Sequence, residues 1–258
     1  MGEAANETGA VELFGVTIQA IRMGDVLARV DQSIVNRKSL DVGVVNAAKI
    51  VNMRKDPELC EAVLRSDAIF ADGMSVVWAS RILGKPLPER IAGIDLMHAI
   101  MKQGQVKKYR VFCLGATQSV LDTVKQRFAE MYPGTTIAGS HHGYFDESDE
   151  ESVALMIQEA RADVLFVAIT SPKKEKFMAR WSSTMRVPVV HGVGGSFDVV
   201  AGLVERAPEA WQRLGLEWLY RVKQEPRRLW KRYLVTNTKF LGIVLRARLF
   251  QSANRKSI

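Results

Sequence analysis

The sequence predicts an α/β fold, a mostly parallel sheet with helices on both faces, Rossmann-like in plan, followed by a basic amphipathic helical appendage. Three observations predict it. Short apolar runs alternate with segments of helical period from residue 11 to residue 208, and strands alternating with helices of that length build parallel sheets covered on both sides. The charge is lopsided: residues 209–258 hold twelve Lys and Arg against three Glu, so the whole formal net charge of +8 lies in that stretch. No apolar run reaches the roughly 18 residues that a bilayer span needs, and 47% hydrophobic with 25% charged residues is an ordinary globular composition.

The elements follow in order. Residues 1–10 are small and polar and are expected to be disordered. Residues 11–18 read as one strand and 20–36 as an amphipathic helix. Residues 41–45 form a short buried strand that runs through Asn46-Ala47-Ala48 into a helix ending near Asn52. Asp56-Pro57 opens the next helix, with proline where a first turn tolerates it. Alternation continues with a strand at 68–70, helices at 74–83 and 94–103, a strand at 109–114, and a helix at 118–131. Strands at 135–139, 164–169 and 188–191 and helices at 150–160 and 173–184 complete the α/β domain, taken as residues 11–208. Beyond Arg206-Ala207-Pro208, helices are expected at 209–223, 226–235 and 237–250, broken at Pro226. Trp211, Leu214, Trp218, Leu219 and Val222 make one apolar stripe, which Leu229, Trp230, Tyr233 and Leu234 continue among arginines and lysines. Basic helices of this kind with Trp lie on membrane surfaces; a helical lid with a solvated basic face would read the same way.

Chemistry concentrates at strand ends. The strand at 68–70 delivers Asp72-Gly73 at its carboxyl end, where ligands bind in open α/β sheets, and Arg90 follows after a Pro-rich turn. One carboxylate and one guanidinium beside a cleft suit base chemistry on a negatively charged substrate. Asp72 would serve equally as a helix cap. Glycine turns follow apolar strands at Leu114-Gly115-Ala116-Thr117 and at Gly192-Val193-Gly194-Gly195-Ser196-Phe197-Asp198, where backbone amides at a helix start favour phosphate. Neither turn matches the G-x-G-x-x-G dinucleotide fingerprint, and no G-x-x-x-x-G-K-[ST] loop is present. There is no D-x-D pair, and His98, His141, His142 and His191 lack ligand spacing. No metal and no cofactor are therefore expected, and a bound diphosphate would rely on amides and on Arg90, Lys173, Lys174 and the tail arginines. The chain start has no signal segment, and Cys60 and Cys113 have no metal-ligand spacing, so a reducing cytosol is expected.

Seven stretches in one order give the chain a resemblance to the WecG/TagA/CpsF family of bacterial glycosyltransferases. They are V-N-A-A-K-I-V at 45–51, A-D-G-M-S-V-V-W-A at 71–79, P-L-P-E-R-I-A-G-I-D-L at 86–96, H-G-Y-F at 142–145, S-P-K-K-E-K-F at 171–177, G-V-G-G-S-F-D-V-V-A-G at 192–202 and R-A-P-E-A-W-Q-R-L-G-L-E-W-L-Y-R at 206–221. The resemblance implies an inverting, metal-independent enzyme that moves a sugar from a UDP-sugar donor to a polyprenyl-diphosphate-linked saccharide in cell-surface polysaccharide assembly. It makes Asp72 the general base, Arg90 the cation at the diphosphate leaving group, and Asn46 a donor-site residue. It assigns the nucleotide to the Gly194, Gly195 and Asp198 turn, with Gly115 and Lys174 at the same substrate site. Arg221 and Arg228 are implied to close over the diphosphate. The catalytic domain would then be 11–208, with 209–258 as a membrane-associating appendage holding the enzyme peripherally on the cytoplasmic face of the plasma membrane.

Two departures bear on the donor. Where N-acetylmannosamine transferases of this family place Thr before the Asn-Ala element, this chain has Val44 or Val45, and their Pro-Lys-Gln-Glu is Pro172-Lys173-Lys174-Glu175 here. The donor sugar is accordingly not assigned. The alternative is a non-enzymatic protein that binds nucleic acid or membrane through the basic tail. The tail aromatics follow helical apolar spacing rather than a base-stacking module, so nucleic acid is not expected as a partner. Exposed apolar tail residues leave room for a homo-oligomer.

Overall fold

The structure, a computed structural model, describes residues 9–255, without the side chains of residue 228 and of residues 252–255. Most of the segment expected to be disordered lies outside the described residues, but Ala10 is already the first residue of β1. Six strands form one parallel sheet in the order β4-β3-β8-β7-β5-β6. These are β3 (Leu40–Val45), β4 (Ala68–Ala71), β5 (Arg110–Gly115), β6 (Thr136–His141), β7 (Val164–Ala168) and β8 (Val189–Gly192). From β3 the chain moves outward to β4, then crosses to build the other half and returns as β8 beside β3. The carboxyl ends of β3, β4 and β8 thus meet at one place in the sheet.

Alternation along each strand assigns the two faces. Val42, Phe70, Val111, Cys113 and Phe166 point into a core closed by α1 (Met23–Val35), α5 (Gly93–Lys107) and α6 (Gln118–Met131). On the opposite face, Phe112, Leu114, Leu165 and Val167 meet α7 (Glu150–Glu159) and α8 (Lys173–Met185). Val45, Ile69 and Ala71 meet α2 (Ala47–Met53) and α4 (Met74–Ile82) in a separate cluster of that face. Polar caps set several helix starts as their sequence suggests: Asn46 accepts from the Lys49 amide at α2, and Asp56 from the Leu59 amide at α3 (Pro57–Leu64).

Two expectations are corrected. The single strand at 11–18 is a hairpin of β1 (Ala10–Leu13) and β2 (Val16–Gln19). Phe14 and Gly15 both take positive φ, 59° and 82°, which is the backbone of a tight two-residue turn whose twist matches its strands. The tail is also divided differently. Residues 209–223 split at Leu214–Leu216 into α10 (Glu209–Arg213) and α11 (Glu217–Gln224), whereas 226–250 form one continuous α12 (Pro226–Arg255). Pro226 starts that helix, where its missing N–H costs nothing.

α12 has two apolar faces rather than one stripe. Phe240 and Val244 are buried in the core cluster of α2 and α4, and Phe14 packs on Phe240 edge-to-face. Trp230, Leu234, Leu241, Leu245 and Leu249 are exposed, and their spacing of four and seven residues puts them on a common side. No helix among the described residues is long and apolar enough to cross a membrane.

Candidate active site

Asp72 leaves the end of β4 half-buried, and its backbone amide donates to Val45 O at the end of β3. It does not cap the helix that follows. Gly73 is the cap residue of α4, with no side-chain cap bond. The Asp72 carboxylate instead spans two other helices: Oδ1 accepts from the Gly93 amide at 3.0 Å, and Oδ2 from Asn46 Nδ2 at 3.2 Å. Gly93 is the first residue of α5, so the carboxylate sits against a helix N-terminus, where anions are favoured. Asn46 does two jobs, since its Oδ1 caps α2 while its Nδ2 holds Asp72.

Arg90 is brought alongside because the Ile91 amide donates to Ala71 O at 2.9 Å, fastening the loop before α5 to the end of β4. Its side chain is only 13% exposed, and its guanidinium is shared between two carboxylates. Nη1 donates to Glu217 of α11 at 2.9 Å, and Nη2 to Asp95 at 3.2 Å and Gln212 at 3.4 Å. Arg206 takes the other Asp95 oxygen at 2.6 Å. The tail therefore lies over the Arg90 side of the cleft. At Gly215, between α10 and α11, the backbone comes so close to α4 that a Cβ would stand 2.5 Å from the Trp78 ring. Arg221 lies one turn beyond Glu217 on α11, on the same helix side. Arg228 is in α12, with its side chain outside the described residues.

The glycine turns lie at the carboxyl ends of β8 and β5, with β7 between them. Gly194 and Gly195 lie in the turn from β8 into α9 (Ser196–Val200), and Asp198 is in the first turn of that helix. Gly115 closes β5 at φ 131°, where any Cβ would meet the Ala168 carbonyl at 2.4 Å. Its glycine identity is thus required by strand packing, whatever else the turn does. Val44 and Val45 also separate: Val45 is fully buried in the α2–α4 cluster, and Val44 lies beside Gly93 on the Asp72 side, with its Cγ2 3.7 Å from where a Gly93 Cβ would be.

Lys174 does not reach into open solvent. Its stem lies against Gly192 and its ammonium is 3.3 Å from Glu175, which also takes Lys49 at 2.9 Å. Burial pulls the Lys174 ammonium down to about 8, with Lys49 adding to the effect. Burial opposes charge on Glu175, but Lys174 and Lys49 outweigh it and bring the carboxyl down to about 2. These side chains and Asp41 line a cavity of about 20 Å³ beneath β3 and β8, and this buried network carried no sequence signal beyond a Lys-Lys-Glu run.

His191 is wholly buried, and burial holds its imidazole down at about 4. Between that value and the ordinary 6.5 the unfolded chain binds a proton that the folded chain does not. The stabilisation is therefore complete above pH 6.5 and is lost as pH falls towards 4. In the parent, His191 is expected to remove about 1.4 kcal/mol of stability per pH unit across that window. His191→Phe abolishes that dependence, so parent-minus-variant stability in urea melts at pH 4 to 7 should slope accordingly; parallel curves would refute it.

The geometry joins a carboxylate held by a backbone amide and an amide side chain, a guanidinium at the same strand end, and glycine turns at the carboxyl ends of β8 and β5 in the same sheet. Residues 11–254 match the model of the glycosyl transferase WecG/TagA/CpsF family. The chain is 41% identical over 187 residues (72% of this chain, 71% of the relative) to an N-acetylglucosaminyldiphosphoundecaprenol N-acetyl-β-D-mannosaminyltransferase of Bacillus spizizenii. It is 33% identical over 232 residues, 89% of each chain, to a protein of the same description from Staphylococcus aureus.

Proposed function

Because this chain belongs to the WecG/TagA/CpsF family of glycosyl transferases, we propose that it moves a sugar, with inversion, from a UDP-sugar to a saccharide carried on polyprenyl diphosphate. The relatives' descriptions support the acceptor class, since both act on an N-acetylglucosaminyl-diphosphoundecaprenol. The single observation that carries the chemistry is the Asp72 carboxylate, ionisable, half-buried and oriented through both oxygens at the meeting of β3, β4 and β8. Asp72 takes the proton from the acceptor hydroxyl as that oxygen attacks the anomeric carbon and UDP leaves. Arg90 meets the charge that develops on the departing diphosphate. Asn46 orients the base, and the Gly194–Asp198 turn with Gly115 receives the nucleotide. Arg221, one turn beyond Glu217 on α11, supplies a tail cation for the diphosphate, and position 228 of α12 is read as a second.

Val44 presents an aliphatic surface beside Gly93, and Lys174 is engaged with Glu175. The donor is tested by a panel of UDP-sugars, UDP-N-acetylmannosamine included, with a synthetic N-acetylglucosaminyl-diphospho-prenol as acceptor. One donor is expected to give an inverted glycoside and UDP, undiminished by chelator. No transfer from any UDP-sugar to this acceptor would overturn the reading.

The exposed side of α12 supports a peripheral place at the cytoplasmic membrane surface, where such acceptors reside. Arg227, Lys231, Arg246 and Arg248 are exposed on the same helix as Trp230, Leu234, Leu241, Leu245 and Leu249, and cations near an anionic leaflet add about 1 kcal/mol each. Leu234→Glu, Leu241→Glu and Leu245→Glu together should weaken sedimentation with phosphatidylglycerol vesicles at least tenfold while sparing UDP binding. These sites avoid the buried face that a truncation would strip from the core. Unchanged vesicle binding would remove α12 as the anchor.

A further inference from the structure

A histidine at 0% exposure in the middle of a parallel sheet needs a reason, because an apolar ring would fill the space without the cost of burying polar nitrogens. His191 sits on β8, and its ring meets Phe166 of β7 edge-on at 6.2 Å. Its Nε2 is 2.9 Å from the Gly93 carbonyl, while Nδ1 is 3.5 Å from Val42 O. A carbonyl only accepts, so a neutral imidazole carries its proton on Nε2 and donates it to Gly93. The same glycine uses its amide to hold Asp72 Oδ1 at 3.0 Å. Gly93 is thus bonded at its carbonyl by β8 and at its amide by the carboxylate. Its Cα is flanked by the His191 ring and Val44, which would lie 3.6 Å and 3.7 Å from a Cβ there. The charged groups whose fields reach the ring are Lys174 and Asp72.

We infer that His191 is a positioning residue for the transfer, anchoring the start of α5 to β8 so that the Gly93 amide fixes Asp72 Oδ1. It rests on the reading of Asp72 as the base. The two oxygens of Asp72 then have separate anchors. Asn46, held as the cap of α2, sets Oδ2, and His191, acting through Gly93, sets Oδ1. Loss of either leaves the carboxylate present but free to turn, and a small misplacement of a reacting group is costly in rate rather than in binding.

The test compares His191→Phe, which keeps a planar ring and loses the donor, with His191→Gln, which keeps a donor. His191→Phe is expected to lower kcat about tenfold with donor KM within about twofold, and His191→Gln to recover part of the loss. In an Asp72→Asn background His191→Phe should change the residual rate less than about twofold, because the group it positions is gone. Equal losses in both backgrounds, a loss in KM alone, or a parental kcat would overturn the proposal.

Should His191→Phe fail to fold, Gly93→Pro examines the same link. Position 93 is the first residue of α5, where proline is tolerated, and Ala92 already has φ −73° and ψ 138°, the conformation a following proline demands. It deletes the amide that holds Asp72, so kcat should fall about tenfold or more with UDP binding intact by calorimetry. Parental kcat in Gly93→Pro would refute the role of His191. Parental kcat in Asp72→Asn would instead refute the base itself, so the two failures are distinguishable.

Discussion

Asp72→Asn is expected to lower kcat by about 10³-fold, the scale on which a positioned general base contributes, while UDP affinity and the melting temperature stay close to the parent's. The asparagine carbonyl oxygen can still accept from the Gly93 amide, so the hold on α5 survives. What is lost is the ability to take a proton. The measurement is steady-state transfer to the prenyl-linked acceptor, with calorimetric UDP titration and thermal melts as controls. A variant within tenfold of the parent would mean that Asp72 serves only to tie β4, α2 and α5 together.

Arg90→Ala is expected to lower kcat by about 10²- to 10³-fold, the loss seen when a preorganised donor to a developing charge is removed. The structure adds a second consequence, because the same guanidinium holds Glu217 at 2.9 Å and Gln212 at 3.4 Å in the tail. Deleting Arg90 therefore unpins α10 and α11 as well as removing a cation from the cleft. Glu217→Gln separates these effects, since it weakens the tail contact while leaving Arg90 in place and still held by Asp95. Glu217→Gln should retain at least a third of parental kcat. If it loses as much as Arg90→Ala, the arginine acts through tail docking and not on the diphosphate. Arg90→Lys should rescue little, because an ammonium cannot reproduce the planar fork that Glu217, Gln212 and Asp95 share.

The legible part of the molecule was local. Helices α6 and α7 start where the sequence places them, at Gln118 and Glu150. Asp56-Pro57 opens α3 because cap and first-turn preferences act within a few residues. The hairpin at Phe14-Gly15 escaped because an aromatic in a left-handed turn lacks the usual Asn or Asp signal. The break read at Pro226 stands, since α11 ends at Gln224 and α12 starts at that proline. The tail was misdivided at Leu214–Leu216, where Gly215 takes a positive φ of 63° between α10 and α11, and at 235–237, where α12 runs on unbroken.

The candidate site was legible as a set of strand ends and not as an arrangement. Asp72, Asn46 and Arg90 could be named from their turns, but capping remained an equal account of Asp72. Only the packed structure shows that its carboxylate leaves α4 uncapped and takes an amide from α5, twenty-one residues away in sequence. Likewise the apolar stripe read through Leu229, Trp230 and Leu234 divides in the structure, Leu229 being buried and Trp230 and Leu234 exposed.

The sequence by itself determined the layering of this protein, because the periods of 2 and 3.6 decide which side of each element is apolar. It also determined the family and the placement of all its net charge in the last fifty residues. The tertiary structure alone decided the partners: Asp72 with Gly93 and Asn46, Arg90 with Glu217, and His191 with Gly93. Hydrogen bonds and ion pairs reach only about 3 Å. Which groups come that close depends on how the β3, β4 and β8 ends converge, which no local period encodes.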